Sequence, residues 1–447
     1  MKFLLVFTLL LVLVACGGRQ DNDVFIWDEN LENPFYGVTL TVAVTQREPM
    51  QRFARLYMDE NPGVEIEIIV KGFEIDHIRE QIGVQLMAGQ GPKLMSASFV
   101  NQKRSDFFVD WIPLIEAHPG FTDDKWRMEV FDALAVNGQL FAFPETVAFF
   151  TYSANINVPE LSKALAYMES ISPKEMIEIF HRFGGAILGL SMNQTYSLGM
   201  HMLLFSRDFV DFDEGIVNFT DPEYIAMLEE ISQITKHLPA SVLGEMESGG
   251  NWMPLLAEYF MFNVNMSPYR LASHDVFYGY LGFVNPLPLV NENGELVILP
   301  FEQWVLSAKS CTKQRALALD FMRFTQDFTN ESVVRIHETS QTVRHINTLN
   351  RSRFEHNIER FLDDIILIRS IEDNRLRKPR DETLDYLIQY VNHAMSRPMS
   401  GIQTFPERIG QFFRETLDSL RLGIITPLEA ATMLQNRVKL EILEGNL

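Results

Sequence analysis

The chain has 447 residues, 47% hydrophobic and 22% charged, a globular balance that excludes disordered, collagen-like and disulfide-framework classes. Single cores stop growing near ~250–300 residues, so two lobes are expected. With 38 basic and 59 acidic residues the net charge is −21, which repels phosphate backbones and argues against nucleic acid as a partner.

Lys2 precedes an apolar run from Phe3 to Ala15 broken only by Thr8. Thirteen residues at ~1.5 Å rise give ~20 Å, short of the ~30 Å needed to span a bilayer core, so the run reads as an export signal. It ends Leu13-Val14-Ala15-Cys16 before Gly17-Gly18. This resembles the bacterial lipobox, in which cleavage before the cysteine leaves a thiol that carries a diacylglyceryl group. Residues 1–15 are then a lipoprotein signal peptide and Cys16 is the lipidation site. Residues 16–37 read as a tether, polar with scattered aromatics. The second cysteine, Cys311, is left single and is expected to be a buried thiol.

From Val38 the pattern alternates strand and helix. Val38 to Thr45 and Val64 to Val70 are β-branched and alternating. Between them Met50, Phe53, Ala54, Leu56 and Tyr57 fall at helical spacing, stopped by Pro62-Gly63. A second amphipathic helix is expected from Ile75 to Ala88, ended by Gly89. This order predicts a mainly parallel sheet with helices on its faces. Farther on, Ser172-Pro173-Lys174-Glu175, Thr220-Asp221-Pro222-Glu223 and Thr426-Pro427-Leu428-Glu429 read as capped helix starts. Helices are expected over 316–328, 354–371, 381–395, 405–422 and 427–443, with strands at Phe260 to Asn265 and Gln303 to Ala308. The charges from Arg344 to Arg380 read as a solvated, mixed-sign helix surface.

Motifs for catalysis and metal binding are weak. The ten His include no zincin pair, Asp211 to Gly215 is an acidic turn rather than a calcium loop, and no phosphate loop or G-x-S-x-G elbow occurs. The chain is therefore read as a non-enzyme with no metal and no cofactor. Aromatic and amide residues instead gather beside expected strand ends: Phe149, Phe150, Tyr152, Asn155, Trp252, Tyr269, Glu302 and Trp304. Flat rings offer apolar faces to sugar C–H groups, while amides and carboxylates take the hydroxyls. For most of these rings core packing competes with that role; Trp252, in the polar Gly249-Gly250-Asn251 context, and Trp304, beside Glu302-Gln303, stand out.

The order of several segments resembles the extracellular solute-binding proteins of family 1, receptors of ABC importers. They are Asn61-Pro62-Gly63-Val64-Glu65-Ile66, residues 86–92, Asn137 to Pro144, Tyr152 to Asn155, Asn285-Pro286-Leu287-Pro288, Ala316 to Phe328 and Pro427 to Val438. Lys93 stands where the family usually has Asp. The resemblance implies a periplasmic-binding-protein-like fold: two α/β lobes joined by a multi-crossing hinge, with a ligand cleft between them. Lobe I would hold 38–147 plus 300–340, and lobe II 148–299 plus 341–447. Cleft contacts implied by the resemblance are Gln46 and Arg47 after the first strand, Ser98 and Asn101 after the next, and Glu145 and Tyr152 at the first crossing. Trp252 and Tyr269 would come from the second lobe, and Glu302 and Trp304 from the return crossing.

The implied function is a monomeric lipoprotein receptor on the outer face of a bacterial membrane or in the periplasm. It would pass a small solute, a carbohydrate or an anionic relative, to the transmembrane subunits of an ABC permease. Two alternatives stay open: a surface-anchored hydrolase of glycans or peptides, and a non-transporting sensor with the same fold. The anchor is directly testable. Expressed in bacteria fed labelled palmitate, the chain is expected to take up label and Cys16→Ser to take up none; label retained by the variant would refute the lipobox.

Overall fold

The computed structural model describes residues 25–27, 33–72, 74–100, 105–149, 151–155, 159–165, 167–172, 174–175, 178–179, 182, 186–188, 206–211, 215–234, 260–265, 283–291, 293–339, 348–360, 380–398 and 407–443. Strands β1 (Thr39–Val44) and β2 (Glu65–Val70) pair in parallel, in register from Thr39↔Glu65 to Val44↔Val70. The connecting helix α1 (Met50–Glu60) makes this possible by burying Met50, Phe53, Ala54 and Tyr57. Its ridge meets Leu40, Val42 and Val44 in the larger core. Helix α2 (Ile75–Met87) covers the other face, where Ile78, Ile82 and Leu86 pack with Ala43 and Met95 of β3 (Leu94–Ser96). Both strands, both helices and the α2 stop at Gly89 (φ +71) follow the sequence pattern to within a residue or two.

The chain then forms α3 (Ile112–Ala117), α4 (Met128–Leu134) and β4 (Ala142–Phe149), and moves to a second sheet in β5 (Thr151–Asn155). Helix α5 (Pro159–Leu165), β6 (Ala186–Leu188), the hairpin β7 (Val210–Asp211) and β8 (Ile216–Val217), α6 (Pro222–Ile234), β9 (Phe260–Asn265) and β10 (Phe283–Pro288) follow. Strand β11 (Ile298–Leu306) returns to the first sheet. The strand orders are β2-β1-β3-β11-β4 and β10-β5-β9-β6. Strand β11 is antiparallel to both β3 and β4, so β4 runs parallel to β1. The chain thus passes between sheets at 149–151 and again at 288–298. Helices α7 (Thr312–Thr325) and α8 (Glu331–Thr339) pack on the first sheet's side beside α1. Helices α9 (Arg380–Met395), α10 (Glu407–Arg421) and α11 (Pro427–Leu443) close the chain, with α10 and α11 packed on α6.

Several expectations change. Strand β11 starts five residues before Gln303, because Pro300 is accommodated at a register shift next to Glu302 rather than ending the strand. Helix α7 starts at Thr312 instead of Ala316, since Gln314 Oε1 accepts the Cys311 backbone N–H (3.2 Å). Cys311 is therefore a half-buried helix cap and not a buried thiol. The boxes at Ser172/Glu175 and Thr426/Glu429 form reciprocally. At Thr220 the cap moves one residue on: Asp221 Oδ1 accepts the Glu223 N–H (2.9 Å), while Thr220 is bonded to Gln435 on α11. In the Arg344–Arg380 stretch Arg353 is 5% exposed and turned into the core, not solvated. Of that stretch, residues 348–360 are described; they pack against the first sheet's body through Thr146↔Thr348 and Trp126↔Asn350 bridges.

The entry to β1 is clamped on the α1–β2 turn. Asn33 Nδ2 donates to the Pro62 carbonyl (2.6 Å) and Gly37 N–H to the Gly63 carbonyl (2.8 Å). Gly63 has φ +90, and a Cβ there would run into the Tyr36 ring. Gly63→Ala is expected to lower unfolding free energy by about 1–2 kcal/mol through left-handed strain and overlap. Urea denaturation checks this: adding Tyr36→Ala should restore the overlap part only, and an unchanged midpoint in the single variant would contradict it.

Candidate functional site

Strand register brings most of the expected contacts to one edge of the first sheet. Ala43 pairs with Met95, Met95 with Val305, and Trp304 lies opposite both Ser96 and Phe143. The carboxyl ends of β1 and β3 are therefore level with Trp304 and with Phe143 near the start of β4, which runs on past that line to Phe149. Gln46 and Arg47 continue β1 past that line and are exposed. Ser98 continues β3 in a 3₁₀ turn, exposed, with its hydroxyl 2.8 Å from that of Ser96. Glu302 lies on the same edge by backbone register, opposite Thr146. Open α/β sheets bind ligands outside such carboxyl ends. Tyr152 sits in the second sheet, its backbone paired with Val264 and Leu287. Asn101, Trp252, Tyr269 and Cys16 lie outside the described residues.

Two of the expected contacts meet in a buried network. Trp304, 8% exposed, donates its indole N–H to Glu145 Oε2 (3.0 Å). Glu145 Oε1 accepts from Gln326 Nε2 (2.7 Å) and from Arg353 Nη1 (2.9 Å), and Arg353 also donates to Gln326 Oε1. Both oxygens of Glu145 are thus engaged by protein groups. The indole of Trp304 is fixed by its edge, within the core. Lys93 stands at the amino end of β3, its ammonium on the Lys309 carbonyl (3.2 Å), on the opposite edge of the sheet. Lys93 is therefore remote from the carboxyl edge, where Arg47 stands exposed.

Gln326, Arg353 and His337 were not singled out by sequence. Arg353 is 208 positions from Glu145, and no local pattern links them. Burial alone would raise the Glu145 pKa, but the charge and hydrogen bond of Arg353, helped by Trp304 and Gln326, hold it at about 2. His337 donates Nε2–H to the Thr325 carbonyl (2.7 Å) between the rings of Phe53 and Phe328. Burial, then the Arg353 charge, push its pKa down to about 3, so it is neutral at pH 7.

A second buried cluster lies on the same helix α7. Asp320 accepts from Tyr57 Oη (2.6 Å), His118 Nε2 (3.2 Å) and Arg323 Nε (3.0 Å). Burial would raise its pKa; the His118 bond and the Arg323 charge bring it to about 2. Among the described residues no group of three or more His, Cys, Asp or Glu is placed to hold a metal ion. Among them, too, no helix is long and apolar enough to cross a membrane.

No family model and no curated protein matches the sequence. Solved structures do match its fold. An extracellular solute-binding protein of family 1 from Alicyclobacillus acidocaldarius is 14% identical with a TM-score of 0.60, covering 91% of this chain and 99% of that one. The sugar-binding protein MalE of Xanthomonas citri is 14% identical, TM-score 0.58, covering 91% and 98%. A family 1 extracellular solute-binding protein from Bifidobacterium longum subsp. infantis is 13% identical, TM-score 0.54, covering 90% and 99%. The chain therefore has the α/β architecture of periplasmic-binding-protein-like, extracellular solute-binding proteins over nine-tenths of its length.

Removing Arg353 strands a buried carboxylate, so Arg353→Met is expected to cost about 3–5 kcal/mol. The double variant with Glu145→Gln should cost less than Arg353→Met alone; additive losses in denaturant titrations would deny the coupling. Acid should weaken the fold in two stages. His337 stays neutral when folded but takes a proton when unfolded below its ordinary 6.5, so its contribution falls as pH drops from 6.5 toward 3. Glu145 and Asp320 contribute fully above their ordinary 4.5 and 3.8 and lose that contribution as pH falls toward about 2. His337→Gln should flatten the first stage only, and a flat profile between pH 7 and 5 in the parent would contradict the assignment.

Proposed function

We propose that the protein is a lipid-anchored extracytoplasmic receptor that captures a small solute, a carbohydrate in our reading, and delivers it to an ABC import permease. One observation carries this: a chain that crosses twice between two sheets presents Gln46, Arg47 and Ser98, exposed and polar, at the carboxyl edge of the first. Hydrogen-bonding side chains at such an edge suit a polyhydroxylated ligand. That the structurally similar MalE of Xanthomonas citri is a sugar-binding protein supports the ligand class, and the motif ending in Cys16 supports the anchor. Lobe I is 38–147 plus 300–340, with residues 348–360 packed on it, and lobe II is 148–299 with the remainder of 341–447. The ligand is held between them by the residues at the first lobe's edge together with Tyr152, Trp252, Tyr269 and Glu302, while Glu145 and Trp304 shape the wall behind. Closure is a hinge motion about the crossings, favoured by whatever contacts the ligand gains only when both lobes reach it.

The test is calorimetry against neutral sugars, sugar acids, sugar phosphates and peptides, with solution scattering of each mixture. Micromolar binding of a carbohydrate, about 8 kcal/mol, is expected with a measurable fall in radius of gyration. Trp252→Ala and Arg47→Ala should each weaken it about tenfold or more, about 1.4 kcal/mol. No ligand-linked compaction across the panel would sink the reading.

A further inference from the structure

The stretch read from sequence as a tether is not free along its length. Phe25 and Trp27 are partly buried against the main core, with Ile26 between them 85% exposed. Their rings lie 5.0 Å apart, and both meet Phe35, at 5.6 and 5.7 Å. Trp27 also lies 4.0 Å from the His118 ring. That ring is a fixed platform: the Gly120 N–H donates to Nδ1 (2.9 Å), which leaves Nε2–H to donate to the buried Asp320 (3.2 Å). Phe35 is 2% exposed, and its carbonyl accepts the Val38 N–H at the amino end of β1. The aromatic contact therefore enters the lobe from the edge opposite Gln46, Arg47 and Ser98.

We propose that Phe25 and Trp27 form an aromatic latch that fastens the lipid tether to the first lobe and fixes both the reach of the receptor and the edge it turns toward the bilayer. This rests on the lipid-anchored reading above. Phe25 is nine positions on from Cys16, a reach of at most ~30 Å. Without the latch the first hold among the described residues is Asn33 on Pro62, seventeen positions on from Cys16, a reach of nearly ~60 Å. The effective concentration of the lobe at the membrane would then fall roughly 2–3-fold.

Two arms test this separately. In a soluble chain starting at residue 17, labelled with 5-fluorotryptophan, the Trp27 fluorine signal is identified by its loss in Trp27→Phe. The latch requires that signal to be broad, shifted from random coil and moved by Phe25→Ala; a sharp random-coil signal indifferent to Phe25→Ala overturns it. In the second arm the palmitoylated chain, carrying Cys311→Ser and a fluorophore at Asp59→Cys near the amino edge, is placed in phosphatidylglycerol/phosphatidylethanolamine vesicles with a headgroup quencher. Quenching should exceed that of a fluorophore at Glu48→Cys and fall about 2–3-fold in the Phe25→Ala, Trp27→Ala double variant. Equal quenching at the two positions, or no change in the double variant, overturns the latch's part in reach and orientation. A chain that takes up no palmitate would overturn the anchor, and with it the reach, while the first arm would still decide the latch.

Discussion

A carboxylate largely buried within a strand has to be matched by the protein, and the architecture is arranged around matching Glu145. Its partners come from three places far apart in the chain: Trp304 in the returning strand, Gln326 just after α7, and Arg353 in the helical residues 351–360. Each is held by its own element, so the four groups fix the relative placement of β4, β11, α7 and that helical segment. An apolar quartet of equal volume would pack as well but would not choose one arrangement so strictly; the buried pair is read here as a device for geometric uniqueness. His337, neutral and wedged between Phe53 and Phe328, keeps a second positive charge away from Arg353.

What the network holds still sets off what is left available. At the same sheet edge Gln46, Arg47 and Ser98 are exposed, while Trp304 and Glu145 are drawn inward. In the binding site we propose, so rigid a frame beside exposed polar side chains would limit the entropy lost on binding. Between the sheets, β4 hands over to β5 within a residue or two of Phe149, and nine residues lie between the end of β10 and the start of β11. The second connection folds back on itself in a turn at Asn291–Glu295, closed by a Val290↔Leu296 bridge.

Much of the fold could be read from residue order. The alternation from Val38 to Val70, the helical spacing of Met50, Phe53 and Tyr57, and Gly89 each express a local rule, and local rules survive in the structure. The departures have a common cause in distant partners or tolerated exceptions. Thr220 gives up its cap because Gln435 reaches it from α11. Pro300 stays inside a strand because a register shift absorbs it. Arg353 is buried because Glu145 stands opposite, which no window of neighbouring residues can reveal. For the candidate site the same division holds: edge positions were legible as strand ends, whereas Trp304 looked like an open stacking face and is instead fixed by Glu145.

Strand β11 occupies an interior place in the first sheet, between β3 and β4, although it is made about 200 residues after β3. Until it emerges, β3 and β4 have no neighbour on their facing sides, and the first lobe cannot complete its hydrogen bonding on its own. Closing so long a loop is slow compared with local pairing. The first sheet thus stays open until its last strand arrives, and the polypeptide carries a built-in delay on the compaction of that half.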